Sequence, residues 1–157
     1  MRTDTKEKIC AFYANDYHFE MVSLPYINKK IEDNNEIIVL TENNLEETIK
    51  VLLEKTNLKI DTKEKILKID WKNNDIEKFK TIKTKINEQK KIIIFIKGKE
   101  NYINNVNQNI QKWIAKSDNI KIIDCYDIGE IEKRTNEIIN KYEKILKTSG
   151  EIDIEKK

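Results

Sequence analysis

Glycine is nearly missing from this 157-residue chain: three occur, at 98, 129 and 150, and none sits where the first apolar run turns into a helical pattern. Without glycine at that turn the backbone cannot approach a pyrophosphate closely. Both the GxGxxG and the GxxxxGK(S/T) phosphate cradles are therefore excluded, and with them a standard nucleotide-binding enzyme. A single histidine, His18, excludes a His-rich metal centre, and no GxSxG segment is present to form a nucleophile elbow. The two cysteines, Cys10 and Cys125, each lie inside an apolar run, as buried free thiols do, with no CxxC pair or Cys/His cluster. No apolar run approaches the ~20 residues of a membrane span. The amino terminus, MRTDTKEK, lacks a signal-like apolar region, so a cytoplasmic protein without a membrane partner is expected.

A dominant charge sign is lacking too. Thirty basic residues face 28 acidic ones, and the signs alternate almost everywhere. The most basic stretch, residues 78–91, is interrupted by Glu88 and reads as the solvated face of a helix, so nucleic acid is not an expected partner.

What the chain does have is isoleucine in periodic segments. Apolar strand-like runs fall at residues 9–14, 36–41, 66–71, 92–96 and 120–125. The third, interrupted by Lys68, alternates and suits an edge or near-edge position; the fourth suits the centre of a sheet. Helical faces alternate with these runs. The first carries Phe19, Val22, Tyr26 and Ile27, with Pro25 expected to bend or break it. The second carries Leu45, Ile49, Leu52 and Leu53 after a capping box at residues 44–47. The third, residues 75–89, carries Ile76, Phe79, Ile82 and Ile86, and the fourth Tyr102, Val106, Ile110, Trp113 and Ile114. The fifth opens on a second capping box at residues 127–130 and carries Ile131, Ile138, Tyr142 and Ile145. This pattern predicts one three-layer α/β domain over residues 1–150, RecA-like or Rossmann-like, with five mainly parallel strands and five helices. Residues 151–157 are expected to fray as a polar tail.

In such folds the site lies at the carboxyl edge of the sheet. The strand ends there collect Tyr13, Asn15, Asp16, Tyr17, His18, Glu42, Asn43, Asp70, Trp71, Lys97, Lys99, Tyr126 and Asp127. Simpler roles compete at several of these positions. Asp127 and Asn44 suit helix caps, Trp71 and Trp113 suit the core, and His18 suits a satisfied first-turn residue. Lys97 and Lys99 flank Gly98 as an anion grip would, but lysine is abundant throughout. A phospho-receiver is excluded, because Lys97-Gly98 stands where Ser or Thr is needed and strand five ends without the required Lys.

The opening KICAFYANDYHFEMVSLPYINKKIEDNNEIIVLTE, with Cys10, Phe12, Tyr13, Pro25 and Tyr26, resembles the start of the MEDS (methanogen/methylotroph sensory) domain family. IKIIDCYDIGEIEKR, with Cys125, Tyr126 and Asp127, resembles that family's closing strand. The family often has a histidine two residues before the first cysteine, where this chain has Lys8. The resemblance implies a RecA/KaiC-type core without a phosphate loop, sensing small molecules for regulators, with strands one and five adjacent and Tyr13 and Tyr126 on one rim.

The expected function is thus a non-catalytic sensory or regulatory domain without a cofactor or metal. Tyr13, Asn15, Asp16, His18, Tyr126 and Asp127 would hold a small ligand, and the signal would leave through a protein partner or homodimer. One alternative is an interaction module docking through helix four or five, with an exposed apolar patch beside Tyr102 and Trp113 or beside Tyr142 and Ile145. Another is a degenerate nucleotide-binding enzyme with Lys97 or Lys99 against phosphate and Asp16 or Asp70 holding Mg²⁺.

Overall fold

Short isoleucine-rich runs with apolar side chains on both faces form the strands, and amphipathic segments between them cover the sheet. The structure, a computed structural model, describes residues 8–88, 90–114 and 119–155. In chain order these form β1 (Ile9–Tyr13), α1 (Asp16–Glu32), β2 (Glu36–Thr41), α2 (Glu46–Glu54), α3 (Ile60–Leu67) and α4 (Asp75–Asn87). Then come β3 (Ile92–Gly98), α5 (Glu100–Ile114), β4 (Ile120–Asp127), α6 (Ile128–Ile131), a 3₁₀ turn (Glu132–Arg134), α7 (Thr135–Ile139), β5 (Lys144–Lys147) and β6 (Gly150–Asp153).

The strands form one sheet in the order β2-β3-β4-β1-β5-β6, parallel from β2 through β5, with β6 antiparallel to β5. Alternation splits the core in two. Ile9, Ala11, Val39, Ile93, Phe95, Ile123 and Cys125 face Phe19 and Ile27 of α1, Ile49 and Leu53 of α2, and Ile66 of α3. Cys10, Leu40, Ile92, Ile94 and Ile96 face Ile82 of α4, Ile103, Val106 and Ile110 of α5, and Ile138 of α7. The three-layer α/β class expected from the sequence is the observed one.

Five local expectations change. Residues 66–71 are not a strand. Residues 60–67 form α3, and Trp71 folds back so that its indole N–H donates to Ile66 O at 2.9 Å. Ile66 and Trp71 are buried while Leu67 is 45% exposed, a helical rather than a two-residue period. The edge of the sheet is therefore β2. Lys78 of α4, assigned to a solvated face, is buried, and its ammonium donates to Val39 O at 2.6 Å and to Lys72 O. Glu36 and Glu42 direct their N–H groups toward β3, so the Val39 carbonyl points to the unpaired side of β2, where Lys78 closes it. Burial pulls the Lys78 pKa down, and Asp70 and Asp75 oppose that shift.

The expected fifth helix breaks at Glu132, whose φ is 47°, and Ile145 belongs to β5. Gly150, at φ 114°, turns the chain into β6, so residues 150–153 pair rather than fray. Glu151 fixes this hairpin by accepting from the Tyr26 hydroxyl at 2.5 Å and from Lys121 at 2.8 Å. Pro25 does not break α1, which runs through it. The amide hydrogen bond that Pro25 cannot make would go to Met21, on the exposed side of the helix, so its loss leaves no carbonyl stranded in the core. Gln89, placed in helix three by its pattern, lies outside the described residues, as do residues 156–157 of the tail.

Candidate functional site

Parallel strands β1 to β4 bring four carboxyl ends to one rim, and there a cavity of about 470 Å³ opens between them. Tyr13, Asn15, Asp16, Glu42, Asn43, Lys97, Gly98, Lys99 and Asp127 line it. Four of the six site residues expected from the sequence are thus brought together: Tyr13, Asn15, Asp16 and Asp127.

The floor is built on Lys97. It follows five apolar residues in a strand buried on both faces, so its side chain is held inside, 2% exposed. The ammonium meets Asp16 Oδ1 at 2.9 Å and donates to Asn43 Oδ1 at 2.9 Å. It also lies 4.6 Å from the centre of the Tyr13 ring and 5.5 Å from that of Phe19. Asn43 Nδ2 closes the triangle by donating to Asp16 Oδ2 at 2.9 Å. Lys97 is therefore a neutralised floor rather than a waiting phosphate grip. Asp16 occupies the first turn of α1, so the two-residue turn after β1 presents a paired carboxylate where a phosphate loop would present glycine amides.

Above the floor the groups are less engaged. Among the described residues nothing hydrogen-bonds the Tyr13 hydroxyl. Burial, together with Asp127, Cys125, Asp16 and Glu42, pushes its pKa up, so it remains a neutral donor. Lys99 is exposed, with its backbone N–H donating to Glu42 Oε1 at 2.9 Å. Asp127 caps α6 by accepting from Gly129 N at 2.9 Å.

Gly98 is required by close packing. An added Cβ would lie 2.7 Å from Glu42 Oε1 and 2.7 Å from Tyr102 Cδ2, and both neighbours are tethered, Glu42 to Lys99 N and Tyr102 to Asp75 at 2.8 Å. Gly98→Ala is expected to lower stability by about 1–3 kcal/mol, measurable by urea denaturation; an unchanged midpoint would mean that Glu42 moves aside freely.

His18 and Tyr126 stand apart from the cavity. The His18 imidazole braces the helix start: Nδ1 accepts from Ala14 N at 2.8 Å, and His18 N donates to Asn15 Oδ1 at 2.8 Å. Tyr126 sits at the expected rim, because β1 and β4 are neighbours, but the register pairs it with Phe12 and pairs Tyr13 with Asp127. One residue of offset turns Tyr126 to the opposite face of the sheet. There its hydroxyl lies 2.6 Å from that of Tyr142, which donates to Asp124 Oδ2 at 2.5 Å; Asn107 donates to Asp124 Oδ1 at 3.1 Å. Burial pushes the Asp124 carboxyl up to about 6, against these hydrogen bonds. Cys10, beside this cluster, is pushed up to about 12 by burial and by Asp124, and remains an inert thiol.

The other positions resolve similarly. Trp71 is core, and the Asp70 carboxylate accepts from Lys72 N at 3.0 Å within its own loop, so Asp70 does not join Asp16. Asn44 supports the start of α2 by accepting from Glu46 N at 2.8 Å. Among the described residues the apolar patches expected on helices four and five are not found. Tyr102 and Trp113 are half-buried, Trp113 against Phe79 and under Lys83, while Tyr142 is buried and Ile145 half-buried. Lys97, Asn43 and Glu42, placed at the rim by the sequence but not among the six expected ligand residues, line the cavity as well. The available signal was a lysine closing the most apolar strand of the chain.

Comparison with protein-family models, with curated proteins and with solved structures returns no match.

Proposed function

We propose that the chain is a non-catalytic sensory or regulatory domain that binds a small polar ligand at the carboxyl edge of its sheet and signals through a protein partner. The observation that carries this reading is the rim cavity, walled by four strand ends over a pre-ordered, charge-neutral floor of Lys97, Asp16 and Asn43. Pockets of this size with a few convergent polar groups are the usual form of small-molecule sites. The Tyr13 hydroxyl and the Lys99 ammonium are donors toward an acceptor-bearing ligand; Glu42 and Asp127 limit how much negative charge it carries. The Lys97 ammonium and the Asp16 carboxylate are paired with each other and with Asn43, which favours binding over nucleophilic chemistry. The MEDS-like opening and closing segments support the same role, and a cytoplasmic setting fits it.

The test is a thermal-shift screen against nucleotides, short-chain metabolites and divalent metals. A ligand that binds only the folded state at ~100 times its Kd stabilises it by about 2.7 kcal/mol. The expected hit is lost in Tyr13→Phe and Lys99→Ala and kept in Tyr126→Phe. A hit indifferent to Tyr13 and Lys99, or silence across the panel, overturns the assignment.

A further inference from the structure

A second cavity, about 270 Å³, lies between α1 and α2 and shares no lining residue with the rim. Its lining is Tyr17, Glu20, Glu47, Thr48, Val51, Leu52 and Lys55. Tyr17 is 61% and Val51 50% exposed, large apolar side chains left open on an otherwise charged surface. Glu20, in contrast, is 1% exposed although it lies on the same helix three residues after Tyr17.

A buried carboxylate is tolerated when several donors surround it. Among the described residues Glu20 has one: the Thr48 hydroxyl, 2.5 Å from Oε2. That hydroxyl also reaches Leu45 O at 3.1 Å, so its one proton is divided between two acceptors. The nearby Lys97 ammonium is already held by Asp16. Burial raises the Glu20 pKa, with Asp16 adding to the effect and Thr48 and Lys97 opposing it. The groove thus combines an apolar wall, an aromatic ring at its mouth and an under-supplied carboxyl at its base.

We infer that this groove binds a small hydrophobic primary amine, its ammonium donating to Glu20 beside the Tyr17 ring and its alkyl body lying on Val51 and Leu52. Each part of the site matches one part of such a molecule. The ammonium supplies the donors that Glu20 lacks and gains a charge-assisted hydrogen bond. The Tyr17 ring face favours a cation over a neutral group. The cavity is smaller than those that enclose drug-sized ligands, which limits the alkyl part to a short chain.

The test is an NMR titration of the full chain with 3-methylbutylamine, and with 3-methylbutanol as the uncharged match. Saturable shifts at the amides of Tyr17, Thr48 and Val51 are expected for the amine, with the alcohol weaker by at least about tenfold, as loss of a charged hydrogen bond implies. Glu20→Gln should weaken the amine by a similar factor. Tyr17→Ala, at an exposed position, should weaken it several-fold without disturbing the fold, and it decides the matter if Glu20→Gln does not fold. Lys99→Ala, which alters the rim, should leave the titration unchanged, so this site and the rim site fail independently. Equal binding of amine and alcohol, no saturable shift with millimolar amine, or indifference to Tyr17→Ala and Glu20→Gln overturns the inference. So do shifts that follow protein rather than amine concentration, which would mean that a second copy covers the groove.

Discussion

Asp16→Ala is expected to destabilise the protein by about 3 kcal/mol, whereas Lys97→Met should change its stability by less than about 1 kcal/mol. The two substitutions break the same ion pair, and the asymmetry comes from where each charge sits. The Lys97 side chain is 2% exposed and the Asp16 side chain 36%. Removing Asp16 leaves an ammonium buried with Asn43 Oδ1 and two ring faces, the situation that costs most. The exposed flank of Asp16 lets some water in, which places the cost at the lower end of the range for broken buried pairs. Removing Lys97 instead leaves a carboxylate that water reaches and that Asn43 Nδ2 still supports, while methionine fills the space against Tyr13 and Phe19. Urea denaturation of the two variants and their double mutant measures the difference. If Lys97→Met is as damaging as Asp16→Ala, the pair is a net source of stability rather than a neutralised floor.

The second large effect is on pH dependence. The Asp124 carboxyl is raised from its ordinary 3.8 to about 6 in the folded chain, chiefly by burial. Folding therefore takes up a proton at intermediate pH. The associated stabilisation is fully present below about 3.8 and is lost as pH rises through about 6. A shift of about two units corresponds to roughly 3 kcal/mol. Glu151 has the opposite sign: although burial raises it, hydrogen bonds from Lys121 and Tyr26 bring it down from 4.5 to about 2. Its contribution is lost only as pH falls below 4.5, so above that pH the Asp124 effect is read without it. Glu20, raised by burial, has the same sign as Asp124, so the comparison must be made against a variant. Stability of the unsubstituted chain relative to Asp124→Asn should fall by roughly 2 kcal/mol between about pH 4.5 and about pH 8, the part of the full effect that lies above pH 4.5, read from urea midpoints at constant m. Parallel pH profiles for the two proteins would show that Asp124 is hydrated in the folded state.

The layers and the parallel sheet were legible because they rest on simple periodicities. Residues 92–96 are apolar at every position and form a strand covered on both faces; Val106, Ile110 and Ile114 recur at helical spacing and form one inward stripe. The errors fell where two periods fit the same few residues. Ile66, Leu67, Ile69 and Trp71 satisfy an alternating pattern on paper, but Ile66 lies in the last turn of a helix packed against α1 and α2 and the indole folds back on its carbonyl. The β5–β6 hairpin was obscured because its strands have four residues each and carry several charges. The site was legible to the level of the rim. Which face a rim residue occupies depends on register, and a one-residue offset separates Tyr126 from Tyr13. Lys97 was marked by closing the most apolar strand, whereas Lys78 and Glu20 lie in helices and their burial had no comparable local signal.

The ammonium that Lys78 lays across the outer side of β2 limits how another chain can join this sheet. One margin of the sheet is occupied by that side chain, and the other, β6, is four residues long and carries Glu151 and Asp153. Neither offers the long, bare backbone ladder onto which another polypeptide adds as a further strand. Assembly by sheet extension, and the fibre-like polymerisation that grows from it, is disfavoured at both margins. Any polypeptide that docks on this domain would therefore do so through side chains, on a helical face or at the rim.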